Sequence, residues 1–297
     1  MAHPNGFQGT GTALATPFRS WEVDVEALRR LVNDQIAGGI DVLVPCGTTG
    51  EAVTLTREEW TLVVRTVVEE ARGRVPVVAG CGSNSTRTTI ENVRYAKELG
   101  VNGALVVTPP YNKPQQEGLF LHYSAVAREG GIPIMLYNVP GRTSVDLQAE
   151  TVARLAKVPG IVGIKEASGQ ITRIIDILEY LDGTPFDIIA GDDGFTLPVL
   201  ALGGDGVTSV ASNVVPEKVS AICKSFKKGD HKAAAAMQVA LQPLVRALFV
   251  ETSPAPVKAA LAMLGRMTDE VRLPLVPANE ATRAKLKAAL KGLGVNV

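Results

Sequence analysis

The chain has 297 residues, 46% of them hydrophobic, enough for one large barrel or two ordinary domains around a sizeable core. Lys and Arg total 30 and Asp and Glu total 30, so there is no net charge and no electrostatic footprint for nucleic acid. The start, Met1-Ala2-His3-Pro4-Asn5-Gly6-Phe7, lacks the apolar region of a leader and no apolar run reaches spanning length, so the expectation is a cytoplasmic protein with no membrane partner.

Short apolar runs alternate with helical patterns at a steady interval. Strands are predicted over 11–16, 42–45, 75–79, 104–108, 134–138, 161–165, 187–190 and 206–210. Between them, helical periodicity marks segments such as 25–38, 57–72, 86–99 and 170–181. The strands are β-branched and almost continuously apolar, as expected when helices cover both faces. Gly38-Gly39, Gly73, Gly100 and Gly130-Gly131 stand where helices should stop. Eight strand–helix units in series predict an α/β fold, a (β/α)8 TIM barrel, rather than an open doubly wound sheet.

After about residue 226 no further strand is expected. Helices are predicted over 230–249, 254–264 and 279–290, with Pro243 expected to kink the first or end it early. The chain therefore divides into a catalytic barrel, 1–226, and a C-terminal helical region, 227–297, packed on the barrel or on a neighbouring subunit. The basic stretches from Lys224 to Lys232 and from Lys285 to Lys291 read as solvated helix faces.

Cys46, Cys81 and Cys223 form no CxxC pair and leave an odd one over, which fits reduced thiols in a core. His3, His122 and His231 are scattered, so no metal site of side-chain nitrogen and sulfur is expected.

Catalytic groups of such a barrel lie at the C-terminal ends of the strands. Lys165 ends the sixth, in Ile161-Val162-Gly163-Ile164-Lys165-Glu166, an otherwise buried run. Lysine is rarely buried without a partner. A desolvated lysine gives up its proton readily and can attack a carbonyl to form a Schiff base; the ordinary alternative is a lysine reaching water or pairing with Glu166. The second strand ends in Cys46-Gly47-Thr48-Thr49-Gly50-Glu51, where exposed N–H groups would suit a small carboxylate, although Gly and Thr are common in any such turn. Tyr137 ends the fifth strand, either as a core aromatic or, beside an amine, as a proton shuttle. Arg142 follows in a Pro-Gly turn, either as a surface residue or as a bidentate carboxylate clamp. Together these residues suggest carbonyl chemistry on a small acidic substrate.

Five ordered motifs then resemble the dihydrodipicolinate synthase (4-hydroxy-tetrahydrodipicolinate synthase) family of pyruvate-dependent Schiff-base lyases. They are Gly47-Thr48-Thr49-Gly50-Glu51; Thr108-Pro109-Pro110-Tyr111-Asn112-Lys113-Pro114 with Gln116-Glu117-Gly118; Tyr137-Asn138-Val139-Pro140-Gly141-Arg142-Thr143; Gly163-Ile164-Lys165-Glu166; and Gly191-Asp192-Asp193. The likeness covers nearly the whole chain. It implies condensation of pyruvate with aspartate β-semialdehyde on the route to diaminopimelate and lysine, with no metal or organic cofactor, only a covalent Schiff base on Lys165. By the same resemblance Tyr137 is the general acid/base, and Thr48, Tyr111 and Tyr137 form a proton relay, Tyr111 reaching in from a neighbouring subunit. Thr49 would hold the pyruvate carboxylate through its backbone N–H, Thr208 and Gly191 would border the substrate, and Arg142 would grip the carboxylate of the semialdehyde. The resemblance also implies a homotetramer, a dimer of dimers.

Two positions depart from the family. Thr208 stands where an aliphatic residue usually offers a main-chain contact, which should do little damage. Where lysine-inhibited members carry a glutamate, a tyrosine and histidines, this chain has Thr88, Pro110, Arg57 and Trp60, with Gly82 and Asn84 retained. Loss of the acidic partner predicts an enzyme insensitive or only weakly sensitive to lysine. Three alternatives stay open at this point. One is another Schiff-base lyase, such as N-acetylneuraminate lyase or a 2-keto-3-deoxy sugar acid aldolase; a second is a non-catalytic metabolite-binding homologue. The third, a phosphate-gripping isomerase, is disfavoured because Asp192 and Asp193 would repel phosphate and the Gly203–Gly206 cluster precedes its strand.

Overall fold

A computed structural model describes residues 6–297; residues 1–5, with His3 among them, lie outside the described residues. β1 (Gly9–Ala13) leads through a small ribbon, β2 (Phe18–Arg19) and β3 (Glu22–Val23), into α1 (Val25–Ala37). Strand and helix then alternate: β4 (Val42–Val44), α2 (Arg57–Ala71), β5 (Val78–Gly80), α3 (Thr86–Glu98), β6 (Gly103–Val107), α4 (Gln116–Gly130) and β7 (Ile134–Asn138). Next come α5 (Pro140–Thr143), α6 (Ala149–Ala156), β8 (Ile161–Glu166), α7 (Thr172–Leu181), β9 (Asp187–Ala190), α8 (Thr196–Ala201), β10 (Gly206–Ser209) and α9 (Pro216–Lys227).

Eight strands form one parallel sheet in the order β4-β1-β10-β9-β8-β7-β6-β5. The two ends of that order meet: Leu43 bridges Val77, and the Leu43 N–H donates to the Pro76 carbonyl at 3.0 Å. The sheet is thereby closed into the (β/α)8 barrel expected from the alternation. β7 and β9 carry the bounds expected of them, and the other strands shift by a few residues. The expected start at Val75 moves to Val78; Pro76 just before it has no N–H to donate to a ladder.

Side chains alternate between two cores. Val42, Val44, Val78, Leu105, Met135, Tyr137 and Ile189 fill the barrel's interior, with Phe7 packed against them. The residues of opposite parity, such as Leu43, Ala104, Leu136 and Ile188, join the larger core beneath the helices. Helix starts are set by side chains on orphan N–H groups: Asp24 caps α1, Ser85 caps α3, and Thr56 with Glu59 makes a full capping box on α2. Each such cap contributes about 1 kcal/mol.

The tail forms α10 (His231–Leu248), α11 (Ala255–Met263) and α12 (Glu280–Gly292), with α10 packed along α9 and against α12. α10 runs unbroken through Pro243, contrary to an early stop. The carbonyl deprived of its donor belongs to Val239, whose side chain is 73% exposed, so that face is open to water. Leu241, Leu244, Leu286 and Leu290 of the tail belong to the same buried cluster as the barrel's outer face.

Candidate active site

Strand register places the two principal candidates side by side. Tyr137 on β7 and Lys165 on β8 are Cα partners, and both share the inward parity of Met135 and Gly163. The Lys165 side chain is buried, 6% exposed, with Nζ lying 4.3 Å from the centroid of the Tyr137 ring. It therefore does not reach out to water, and it is not paired with its neighbour. Glu166 has the opposite parity and is held behind the barrel, accepting from Asn138 Nδ2 at 3.0 Å and the Ser168 N–H at 2.6 Å. Burial pushes the Glu166 carboxyl above its ordinary range, against the pull of those bonds.

A polar brace backs the pair. Asn138, next to Tyr137, donates to Glu166, next to Lys165, and also to Asp146 Oδ1 at 2.9 Å, while its own oxygen accepts the Leu147 N–H at 3.0 Å. Arg173 completes the set by donating to Asp146 Oδ2 at 2.8 Å. A fully satisfied network of this kind fixes the spacing of the two strands it joins.

The turn after β4 faces the same space. Its Gly50 and Glu51 N–H groups donate within the turn to the Gly47 and Thr48 carbonyls, both at 3.1 Å. Among the described residues, the Thr48 and Thr49 N–H groups donate to no protein acceptor, which leaves them free for an anion. Thr48 is exposed and Thr49 buried. A close backbone approach sets the turn's height: a Cβ on Gly80 would come within 2.0 Å of the Cys46 carbonyl oxygen. Cys46, Gly47, Thr48, Gly80, Leu105, Val107 and Tyr137 line a cleft of about 140 Å³, suited to a small molecule and well below the roughly 300–1,000 Å³ of sites for larger ligands. A roomier groove between α10 and α12, lined by Pro243, Arg246 and Lys285, contains none of the candidate residues.

Gly191, directly after β9, donates its N–H to the Glu166 carbonyl at 2.7 Å. A Cβ there would stand 3.2 Å from Lys165 Cε and 2.6 Å from the Ala167 Cβ, so glycine preserves the space beside the amine. Thr208 is buried on β10, pairs in register with Gly11, and lines the interior near Val42 and Ile189. Arg142 sits on α5 at the rim, exposed, with Nη2 donating to the Ser253 carbonyl at 3.3 Å. Tyr111 stands apart: it is 89% exposed, has a φ of 74°, and is absent from the lining of its own chain's cleft. Tyr137 thus links the candidates, with Lys165 Nζ against its ring and Thr48 in the cleft it lines; Gly191 adjoins Lys165, and the exposed Tyr111 lines no part of that cleft.

Asp193 serves the fold. Its buried carboxylate accepts from the Ser209 hydroxyl and from the Val210 and Ala211 N–H groups, bracing the turn after β10, and burial raises its pKa. Cys46, Cys81 and Cys223 are buried free thiols. Burial pushes Cys46 well up and Cys81 to about 12, so neither is a thiolate at neutral pH. Among the described residues no group of three or more His, Cys, Asp or Glu is placed to hold a metal ion, and no helix is long and apolar enough to cross a membrane.

One charged residue escapes a reading of the sequence. Lys258, on α11, is 0% exposed and donates to Glu51 Oε1 at 2.6 Å. Its only signal is position: it interrupts Ala255-Pro256-Val257 and Ala259-Ala260-Leu261, a turn with no other polar side chain. Burial lowers its pKa to about 8, although Glu51 pulls the other way.

Comparison with known proteins agrees along the whole chain. The model of the dihydrodipicolinate synthetase family matches residues 6–293. The 4-hydroxy-tetrahydrodipicolinate synthase of Nitratidesulfovibrio vulgaris (strain DP4) is 50% identical over 290 residues, covering 97% of this chain and 99% of the relative. Among solved structures, the chloride inhibited dihydrodipicolinate synthase from Acinetobacter baumannii complexed with pyruvate is similar at a TM-score of 0.95 and 42% identity, over 98% of this chain and 100% of that one. The Cyanidioschyzon merolae enzyme with lysine bound is similar at a TM-score of 0.93 and 38% identity, over 98% and 99% of the two chains. Motifs, barrel, strand-end chemistry and end-to-end similarity converge, and the chain belongs to the dihydrodipicolinate synthetase family.

Proposed function

We propose that Lys165 performs this family's reaction here, the condensation of pyruvate with L-aspartate β-semialdehyde to 4-hydroxy-tetrahydrodipicolinate. The carrying observation is the Lys165 amine held inside the barrel against the Tyr137 ring, which itself lines one cleft with Thr48 of a turn that has two unspent N–H groups. The amine adds to the keto carbon of pyruvate, and loss of water gives the protonated Schiff base. Removal of a methyl proton yields the enamine, whose carbon attacks the aldehyde. Attack of the substrate's own amine at the former keto carbon then closes the ring and releases Lys165.

In this reading Tyr137 moves protons at the addition and dehydration steps, with Thr48 in the same cleft passing them on. The Thr49 N–H holds the pyruvate carboxylate, Gly191 and Thr208 border the bound ketone, and Arg142 receives the carboxylate of the aldehyde at the rim. Covalent attachment to Lys165 requires no metal or organic cofactor. Tyr111 completes the relay in a neighbouring copy, within a homotetramer built as a dimer of dimers; a tyrosine 89% exposed on a single chain supports this. Free buried thiols fit a cytoplasmic setting. The division into a catalytic barrel, 1–226, and a helical region, 227–297, accompanies the proposal.

Weak or absent inhibition by lysine belongs to the same reading. Arg57 lies over the rings of Tyr95 and Trp60, at 4.1 and 5.4 Å, and donates to Asn92 at 2.8 Å. A fixed cation there repels a second ammonium.

The test is intact-mass spectrometry after borohydride reduction with pyruvate, on wild type and Lys165→Ala. A reduced adduct on wild type alone is expected, followed by turnover with aspartate β-semialdehyde. No adduct on wild type overturns the proposal.

A further inference from the structure

Glu51 directly follows the turn proposed to hold the pyruvate carboxylate, and its backbone is in the left-handed region, φ 53°. A non-glycine residue keeps that conformation only where its surroundings enforce it. Both carboxylate oxygens are engaged from outside the barrel: Oε1 accepts from Lys258 Nζ at 2.6 Å, and Oε2 accepts the Arg272 N–H at 2.9 Å. Arg272 also donates to the Thr54 carbonyl at 3.0 Å and pairs with Glu59 at the start of α2. The turn is thus tied on its far side to the C-terminal region.

Lys258 has nowhere else to go. It is 0% exposed, and its Nζ lies 4.0 Å from the centroid of the Phe18 ring, whose other near cation is Arg272 at 4.3 Å. A buried charge of this kind is costly unless paired, so the Glu51 contact is obligatory rather than incidental. The pair also settles an electrostatic conflict. Glu51 puts a negative charge beside a turn whose proposed ligand is itself a carboxylate, and Lys258 neutralises that charge at its source. The same stretch of chain holds the second carboxylate-binding group, since Arg142 donates to the Ser253 carbonyl, five residues before Lys258.

We infer that Lys258, through its ion pair with Glu51, is a positioning residue for the carboxylate-binding turn Gly47–Glu51, so that the C-terminal helical region sets the barrel's preference for α-keto acids over neutral ketones. The inference rests on the proposed function of Lys165 and the turn. Lys258 touches no substrate; it acts by fixing the direction of the Thr48 and Thr49 N–H groups and by cancelling the charge behind them.

The experiment compares reductive trapping on Lys165 with pyruvate and with acetone, a ketone that lacks only the carboxylate. Full-length wild type, Lys258→Met and the double variant Lys258→Met/Glu51→Gln are used, with Lys165→Ala as the blank. Loss of one charge-assisted contact should reduce the pyruvate-to-acetone preference by about tenfold or more in either variant, with acetone trapping nearly unchanged. The double variant leaves no buried charge and keeps an acceptor for the Arg272 N–H, so it carries the test if Lys258→Met alone does not fold. A preference equal to wild type in the folded variants, or an equal fall for both ketones, overturns the inference and leaves the function of Lys165 standing. Failure of wild type to trap pyruvate overturns both.

Discussion

Lys165 Nζ rests 4.3 Å from the centre of the Tyr137 ring, and the two residues are register partners on adjacent parallel strands. Ring and hydroxyl therefore have separable roles: the ring packs against the lysine nitrogen, and the hydroxyl moves protons. Tyr137→Phe keeps the ring. It should still yield a reduced pyruvate adduct while kcat falls by about 10²–10⁴-fold, the usual contribution of a general acid/base. Steady-state assays beside the mass measurement check this; an unchanged kcat would remove Tyr137 from the relay.

Arg142 stands at the rim, tethered by one hydrogen bond to Ser253 and otherwise exposed. Its fork is free to receive the aldehyde's carboxylate. Arg142→Ala should raise KM for aspartate β-semialdehyde by about tenfold or more, with pyruvate trapping unaltered. Equal damage to both substrates would show that the residue supports the rim rather than the second substrate.

Lysine should inhibit weakly or not at all. The Arg57 guanidinium lies over the Tyr95 and Trp60 rings and is bonded to Asn92, and Thr88 offers no charge to an incoming ammonium. Initial rates with added lysine decide the matter, and half-inhibition below about 1 mM, a binding free energy near 4 kcal/mol, would sink the prediction.

Acid stability should depend on His122. Its Nδ1 lies 2.9 Å from the Thr86 hydroxyl, Nε2 is buried without a partner among the described residues, and burial lowers its pKa to about 4. Between pH 6.5 and about 4 the unfolded chain binds a proton at this position that the folded chain refuses, so stability falls as pH drops through that window. The loss from this one group is at most about 3 kcal/mol. His122→Gln should flatten that part of the profile; urea midpoints at pH 7 and pH 4.5 for both proteins provide the check.

Strands such as Ile134–Asn138 were legible because four consecutive apolar residues end abruptly in a polar one, which marks both the element and its mouth. Lys165 was legible for the same reason. The ribbon Phe18–Arg19 and Glu22–Val23 was not, since two-residue strands carry no period. The short α5, Pro140–Thr143, which carries Arg142, was hidden likewise. Pro243 did not end its helix, one of the two outcomes expected of it: a missing donor is tolerated where the deprived carbonyl can turn to water. Lys258 stayed unread because its partner lies 207 residues away, a contact only the closed barrel creates.

Parity on β7 and β8 has a further consequence. Tyr137 and Lys165 point into the barrel, while Asn138 and Glu166, their immediate neighbours, are bonded to each other behind it. Chemistry and scaffold thus occupy alternate positions of the same two strands. Replacing residues on the inward face leaves the outward brace intact, so this barrel can acquire a different aldehyde partner by few substitutions without relearning how to fold.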